Sequence, residues 1–107
     1  MWQKTVLVGW VGKDPRNRAT SAGVAITTFD VATKMRRGTS TAKPWDETTW
    51  HHIVCLGTRL ADLAARRIRV GSLVLVEGKL RLREWEDKVT GERKSRMELL
   101  CSTFEVL

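Results

Sequence analysis

The sequence predicts an all-β chain with one helix: a five-stranded barrel whose helix lies between the third and fourth strands. Three observations carry this. Runs rich in β-branched and aromatic residues alternate with turn signals along most of the 107 residues. One stretch, beginning near Thr58, switches to a helical apolar period. A content of 42% hydrophobic and 29% charged residues is globular and too apolar for disorder, at a length that fits one domain over residues 1–107.

The first strand is expected over residues 4–12, where Val6, Leu7, Val8, Trp10 and Val11 precede the turn signal Lys13-Asp14-Pro15. Residues 16–23 are polar and read as a loop. Residues 24–34, with β-branched side chains and Phe29, form the second strand. A basic, small-residue loop follows over 36–44, and the third strand spans 48–57. Leu60, Leu63, Ala64, Arg67 and Ile68 then fall at helical spacing, with Thr58 placed to cap the start and Gly71 just past the end. Arg66, Arg67 and Arg69 sit where cations suit the helix dipole. The fourth strand covers 72–84, residues 87–92 read as a hairpin tip, and the fifth strand covers 95–106. Three strands, a helix and two more strands in this order suggest the oligonucleotide/oligosaccharide-binding (OB) fold.

Charge and aromatic placement suggest what such a barrel holds. Nineteen Lys and Arg against twelve Asp and Glu leave a net charge of +7, which favours a polyanionic partner. Five tryptophans and no tyrosine accompany that charge. In an extended strand Lys79, Arg81, Arg83 and Trp85 share one face, while Leu80 and Leu82 share the other and are expected to enter the core. Three cations and an indole suit flat, anionic single-stranded nucleic acid. Lys34, Arg36, Arg37 and Lys43 lie in or beside a basic loop able to close over such a strand, and Trp45 follows Pro44 there. Lys4, Lys13, Arg16 and Arg59 complete the candidate phosphate contacts. Trp10 keeps phase with Val6 and Val8, so core or subunit interface, beside Val74 and Val76, is expected for it at least as much as DNA contact. Trp2 has no assigned role.

Several stretches resemble the bacterial and mitochondrial single-stranded-DNA-binding protein family. These are Leu7-Val8-Gly9-Trp10-Val11-Gly12-Lys13-Asp14-Pro15, Val31-Ala32-Thr33, Thr49-Trp50-His51, Arg69-Val70-Gly71-Ser72, Val76-Glu77-Gly78-Lys79-Leu80 and the aromatic Trp85. The resemblance implies a homotetramer that coats and protects single-stranded DNA in replication, recombination and repair, with Trp50 and Trp85 as base-stacking platforms. Where the family carries a stacking phenylalanine at the end of its third strand, this sequence has Leu56. It also implies replication and repair proteins as partners and a place at the bacterial nucleoid in the cytoplasm, or in the mitochondrial matrix. Bacterial members end in an acidic tail; here the sequence reads Phe104-Glu105-Val106-Leu107 at its end, as after removal of a tail or as in mitochondrial forms.

Other classes are weaker fits. No paired carboxylates, nucleophile–base pair or phosphate loop suggests an enzyme, and no cofactor is expected. His51 and His52 lack companions at metal-ligand spacing, so no metal is expected and His51 is read as structural. No apolar run approaches the roughly 20 residues that span a bilayer, and the strand pattern begins by Lys4, so neither membrane nor signal segment is expected. Cys55 and Cys101 sit in apolar runs and read as buried free thiols, a disulfide being possible if their strands are neighbours. The alternative function is an interaction subunit on the same fold, of a primosome type or in an RNA-binding complex.

Overall fold

Thirteen residues from Ala25 to Arg37 form the strand around which the others are arranged, because both of its edges are used. In the computed structural model, which describes residues 1–37 and 45–107, the elements are β1 (Thr5–Val11), β2 (Arg16–Ala19), β3 (Ala25–Arg37), β4 (Trp45–Leu56), α1 (Thr58–Arg67), β5 (Leu73–Glu86) and β6 (Arg93–Val106). β4 runs antiparallel along one edge of β3; the end of β1 and all of β2 share the other. β1 also pairs with β5, β5 with β6, and β6 in parallel with β4, so five long strands close a ring. This is the expected mostly-β order.

The short β2 corrects the reading of residues 16–23 as loop. Arg16 to Ala19 are all exposed, so no buried side marks the segment, yet it pairs with Ala25 to Thr28 across a turn at Gly23 (φ 84°). The helix therefore follows the fourth strand, the extra one being β2.

The core fills the ring. Val11, Phe29, Val31, Ile53, Cys55, Val74, Val76, Leu99 and Cys101 are buried together, and Ala64 of α1 and Ile68 just past its end join them from one end. The Thr27 hydroxyl donates to the Ala61 carbonyl at 2.7 Å, which satisfies a buried polar group where the helix meets β3. The helix start differs from expectation: Gly57 occupies the N-cap with φ 94°, and Thr58 is already helical. A positive φ favours glycine, so the turn geometry, in place of a hydroxyl, sets the boundary. Past the end, Gly71 (φ 88°) lies in the next turn, and the Arg69 guanidinium donates to the carbonyls of Ala65 and Ile68. Arg69 thus meets the unpaired carbonyls of the last turn.

Two apolar faces lie outside this core. Leu80 and Leu82 point to the interior side of β5, but β5 and β6 run on beyond the barrel as an arm, and Leu82 is 54% exposed with Met97 paired beside it. The expected burial of those leucines fails because that end of the interior face has no opposing layer. Trp10, 54% exposed, lies with Val6 and Val8 on the outer face of β1. Its β5 neighbours there are Leu73 and Leu75; Val74 and Val76 turn inward instead.

Cys55 and Cys101 are buried and free on the neighbouring strands β4 and β6. Contact with the Cys101 thiol, then burial, pushes the Cys55 thiol up from its ordinary range, so it stays protonated and inert. His51, half-buried, shares a 2.7 Å hydrogen bond with Thr33 Oγ1, and desolvation holds its pKa below the ordinary 6.5. A lowered pKa means the unfolded chain binds more protons, so this contribution is intact above pH 6.5 and is lost as pH falls below it. His51→Gln is expected to melt with a smaller loss between pH 7.5 and pH 5 than the unaltered chain; equal losses in thermal unfolding would refute the assignment.

Candidate nucleic-acid interface

Strand register decides which side chains meet on the outer face of the sheet. In antiparallel pairs, directly opposed residues point the same way. On β3 and β4, Thr28 opposes Val54, Asp30 opposes His52, and Ala32 opposes Trp50. Across the parallel junction His52 opposes Glu98, and on the arm Arg81 opposes Glu98, Arg83 opposes Arg96 and Trp85 opposes Lys94. On the far side Arg16 and Arg18 of β2 oppose Thr28 and Ile26.

Most of these residues line one groove, with Ala32, Trp50, Trp85 and Lys94 outside its lining. A cleft of about 440 Å³ is walled by Arg18, Arg81 and Arg83 over a floor of Thr28, His52, Val54 and Glu98. A second, about 420 Å³, shares Arg18, Thr28, His52 and Arg83 and adds Lys13, Arg16, Asp30 and Arg96. Six cations therefore face three carboxylates, Asp14, Asp30 and Glu98. The carboxylates are engaged: Asp14 accepts from the Val70 amide at 2.9 Å, Asp30 meets His52 Nδ1 at 2.7 Å, and Glu98 accepts from Arg81. Lys13, Arg16, Arg18 and Arg96 form no ion pair with any described residue and are available to an external anion.

The aromatics stand on the same face. Trp85 is 37% exposed, and the Arg83 guanidinium lies 5.7 Å from its ring centroid, within cation–π range. Trp50 is 58% exposed and lies over Gly12, where an added Cβ would come within 2.5 Å of its ring. The Gly12 backbone thus abuts the outer edge of the indole, while more than half of the residue stays open to a base. Leu56, at the end of β4, lines the first cleft.

The other expected site residues are dispersed. Lys34 is exposed on the Trp50 side of β3, opposite Thr48. Lys79 shares the face of Arg81 but lines a smaller cleft with Trp2 and Lys4, and Lys4 is paired with Glu77 at 3.4 Å. Arg59 opens onto another cleft beside α1 with Arg67 and Phe104, which meets the groove only at Leu56. Arg36 pairs with Asp46 and Arg37 with Trp45 in the backbone register, their side chains lying outside the described residues, as does Lys43 entirely. Arg18, Arg96 and Glu98 are not singled out by the sequence, and His52 is considered there only as a metal ligand. The one sequence signal for Arg18 is its same-face spacing from Arg16; the others reach the groove only through strand pairing.

Among the described residues no group of three or more His, Cys, Asp or Glu is placed to hold a metal, and no helix is long and apolar enough to cross a membrane.

Comparison with known proteins places these features in context. The Single-strand binding protein family matches residues 2–107. The chain is 35% identical over 104 residues to "Single-stranded DNA-binding protein 1" of Chlorobaculum tepidum, which covers 97% of this chain and 64% of that relative's length. It is similar in structure, with a TM-score of 0.87 and 28% identity over 100% of this chain and 96% of the other, to a chain described as "Plasmodium falciparum SSB complex with ssDNA".

Proposed function

This chain belongs to the Single-strand binding protein family, and from that premise we propose that its groove binds and protects single-stranded DNA with little sequence preference and without catalysing a reaction on it. The observation that carries the reading is the placement of Trp50 and Trp85 on the same sheet face as six groove cations. Indoles stack on any base, each contact being worth about 1–3 kcal/mol. Cations release counterions from phosphates regardless of sequence. Together they give affinity without base readout.

Lys79 and Lys34 extend the same cationic face; Arg36 and Arg37 at the end of β3, Trp45 at the start of β4, and Lys43, outside the described residues, are assigned further contacts. Lys4 and Arg59 are assigned no more than a peripheral phosphate role, given their positions. The unit acting is the whole 1–107 domain. The exposed Val6, Val8 and Trp10, flanked by Leu73 and Leu75, support assembly into a homotetramer, since an apolar strand face of this kind is stabilised by covering it. Work with replication, recombination and repair proteins at the bacterial nucleoid is the setting that fits best.

Titration with oligo(dT) is expected to quench tryptophan fluorescence. The plot of log affinity against log salt should have a slope of about −0.7 per phosphate neutralised. Tighter binding to duplex than to oligo(dT) would overturn the reading, and stronger binding to RNA of equal length would favour an RNA-complex subunit.

A further inference from the structure

Glu98 is the one buried charged residue among those described, at 2% exposure, and it lies at the floor of a groove otherwise suited to a polyanion. A carboxylate there repels phosphate, and burying it is costly unless it is paired. Its partners are groove residues. Oε1 accepts from Arg81 Nε and lies 3.2 Å from Arg81 Nη2; Oε2 is 4.0 Å from Arg83 Nη1 and 3.8 Å from His52 Nε2. His52 in turn meets Asp30, so Asp30, His52, Glu98 and Arg81 form one row of directly paired residues across β3, β4, β6 and β5.

We propose that Glu98 is a positioning residue of the DNA groove, an internal counterion that holds Arg81 and Arg83 at its floor and reduces the charge they present to phosphate. The inference rests on the single-stranded-DNA reading above. With Nε and Nη2 both directed at one carboxylate oxygen, one edge of the Arg81 guanidinium is committed to the floor. Its remaining N–H groups and flat face are left for the ligand, and the side chain is still 45% exposed. Arg81 therefore serves more as a fixed, partly neutralised surface for bases than as a free phosphate ligand, because its charge is already compensated when DNA arrives. Arg16, with no ion pair among the described residues, is the contrasting case.

Glu98→Gln removes the charge and keeps the shape. It is expected to bind oligo(dT) about 3- to 10-fold more tightly at low salt and to steepen the salt slope by about 0.7 to 1.4, the increment for one or two counterions. Arg16→Gln should flatten the slope by about 0.7, and Arg81→Gln by less than half as much. If Glu98→Gln does not fold, as judged by circular dichroism and melting, the Arg81 and Arg16 comparison decides the matter. Glu98→Gln with unchanged slope and affinity, or equal flattening by Arg81→Gln and Arg16→Gln, would overturn the proposal while the unaltered protein still binds. Failure of the unaltered protein to bind oligo(dT) would overturn the underlying reading as well, and its own titration separates the two failures.

Discussion

Trp50→Ala and Trp85→Ala are each expected to weaken oligo(dT) binding by about 5- to 150-fold, the equivalent of about 1–3 kcal/mol of lost stacking. The two indoles stand on different strands, so their effects should add in free energy. Anisotropy of a labelled oligonucleotide is the suitable measurement, because each substitution removes one of the five tryptophans that give the intrinsic signal. The geometry under Trp50 supplies a stricter version. In Gly12→Ala the indole is retained, but the new methyl would lie 2.5 Å from its ring and force it to move. Part of the Trp50→Ala loss should then appear with every aromatic still present. Losses below twofold in both alanine variants would detach the tryptophans from DNA and favour an interaction subunit.

Gly78→Ala should lower stability by about 2 kcal/mol or more, read as a melting point roughly 10 °C below that of the unaltered protein. Gly78 stands at the irregularity where β5 changes register against β6, and a Cβ there would lie 2.1 Å from the Leu100 carbonyl oxygen and 2.8 Å from Leu99 Cδ2. Backbone cannot yield as a flexible side chain would. Gly23 has open space around it, so the cost of Gly23→Ala would come only from its positive φ. A melting point within 2 °C of the unaltered value for Gly78→Ala would mean that the bulge relaxes freely.

What the sequence made legible follows from what period and composition encode. Alternation identified the long strands because their inward residues are apolar, and the 58–68 stretch stood out because its period differs. β2 was hidden because Arg16-Asn17-Arg18-Ala19 has no buried side to betray it. Period 2 correctly grouped Arg81, Arg83 and Trp85 against Leu80 and Leu82, but it cannot say which face finds a second layer. Trp85 and Trp50 could be chosen from local context. Glu98 and Arg96 could not, because their role depends on a partner strand elsewhere in the chain. Lys4 and Arg59 were chosen on charge alone, and the fold puts them in other clefts, Lys4 paired with Glu77.

The parallel β4–β6 junction is brief, joining residues 52–54 to residues 98–100, while hairpins hold most of the remaining sheet. Hairpins close short loops, but this contact must gather segments far apart in the chain, a step whose entropic cost rises slowly with sequence separation. The β1–β5 pairing, from Thr5↔Gly78 to Trp10↔Leu73, joins segments farther apart still, so two long-range junctions close the ring. His52 and Glu98 are themselves an opposed pair of the β4–β6 junction. A ligand that needs the finished groove floor binds only the closed ring, so each bound strand opposes opening and protects the core amides from exchange.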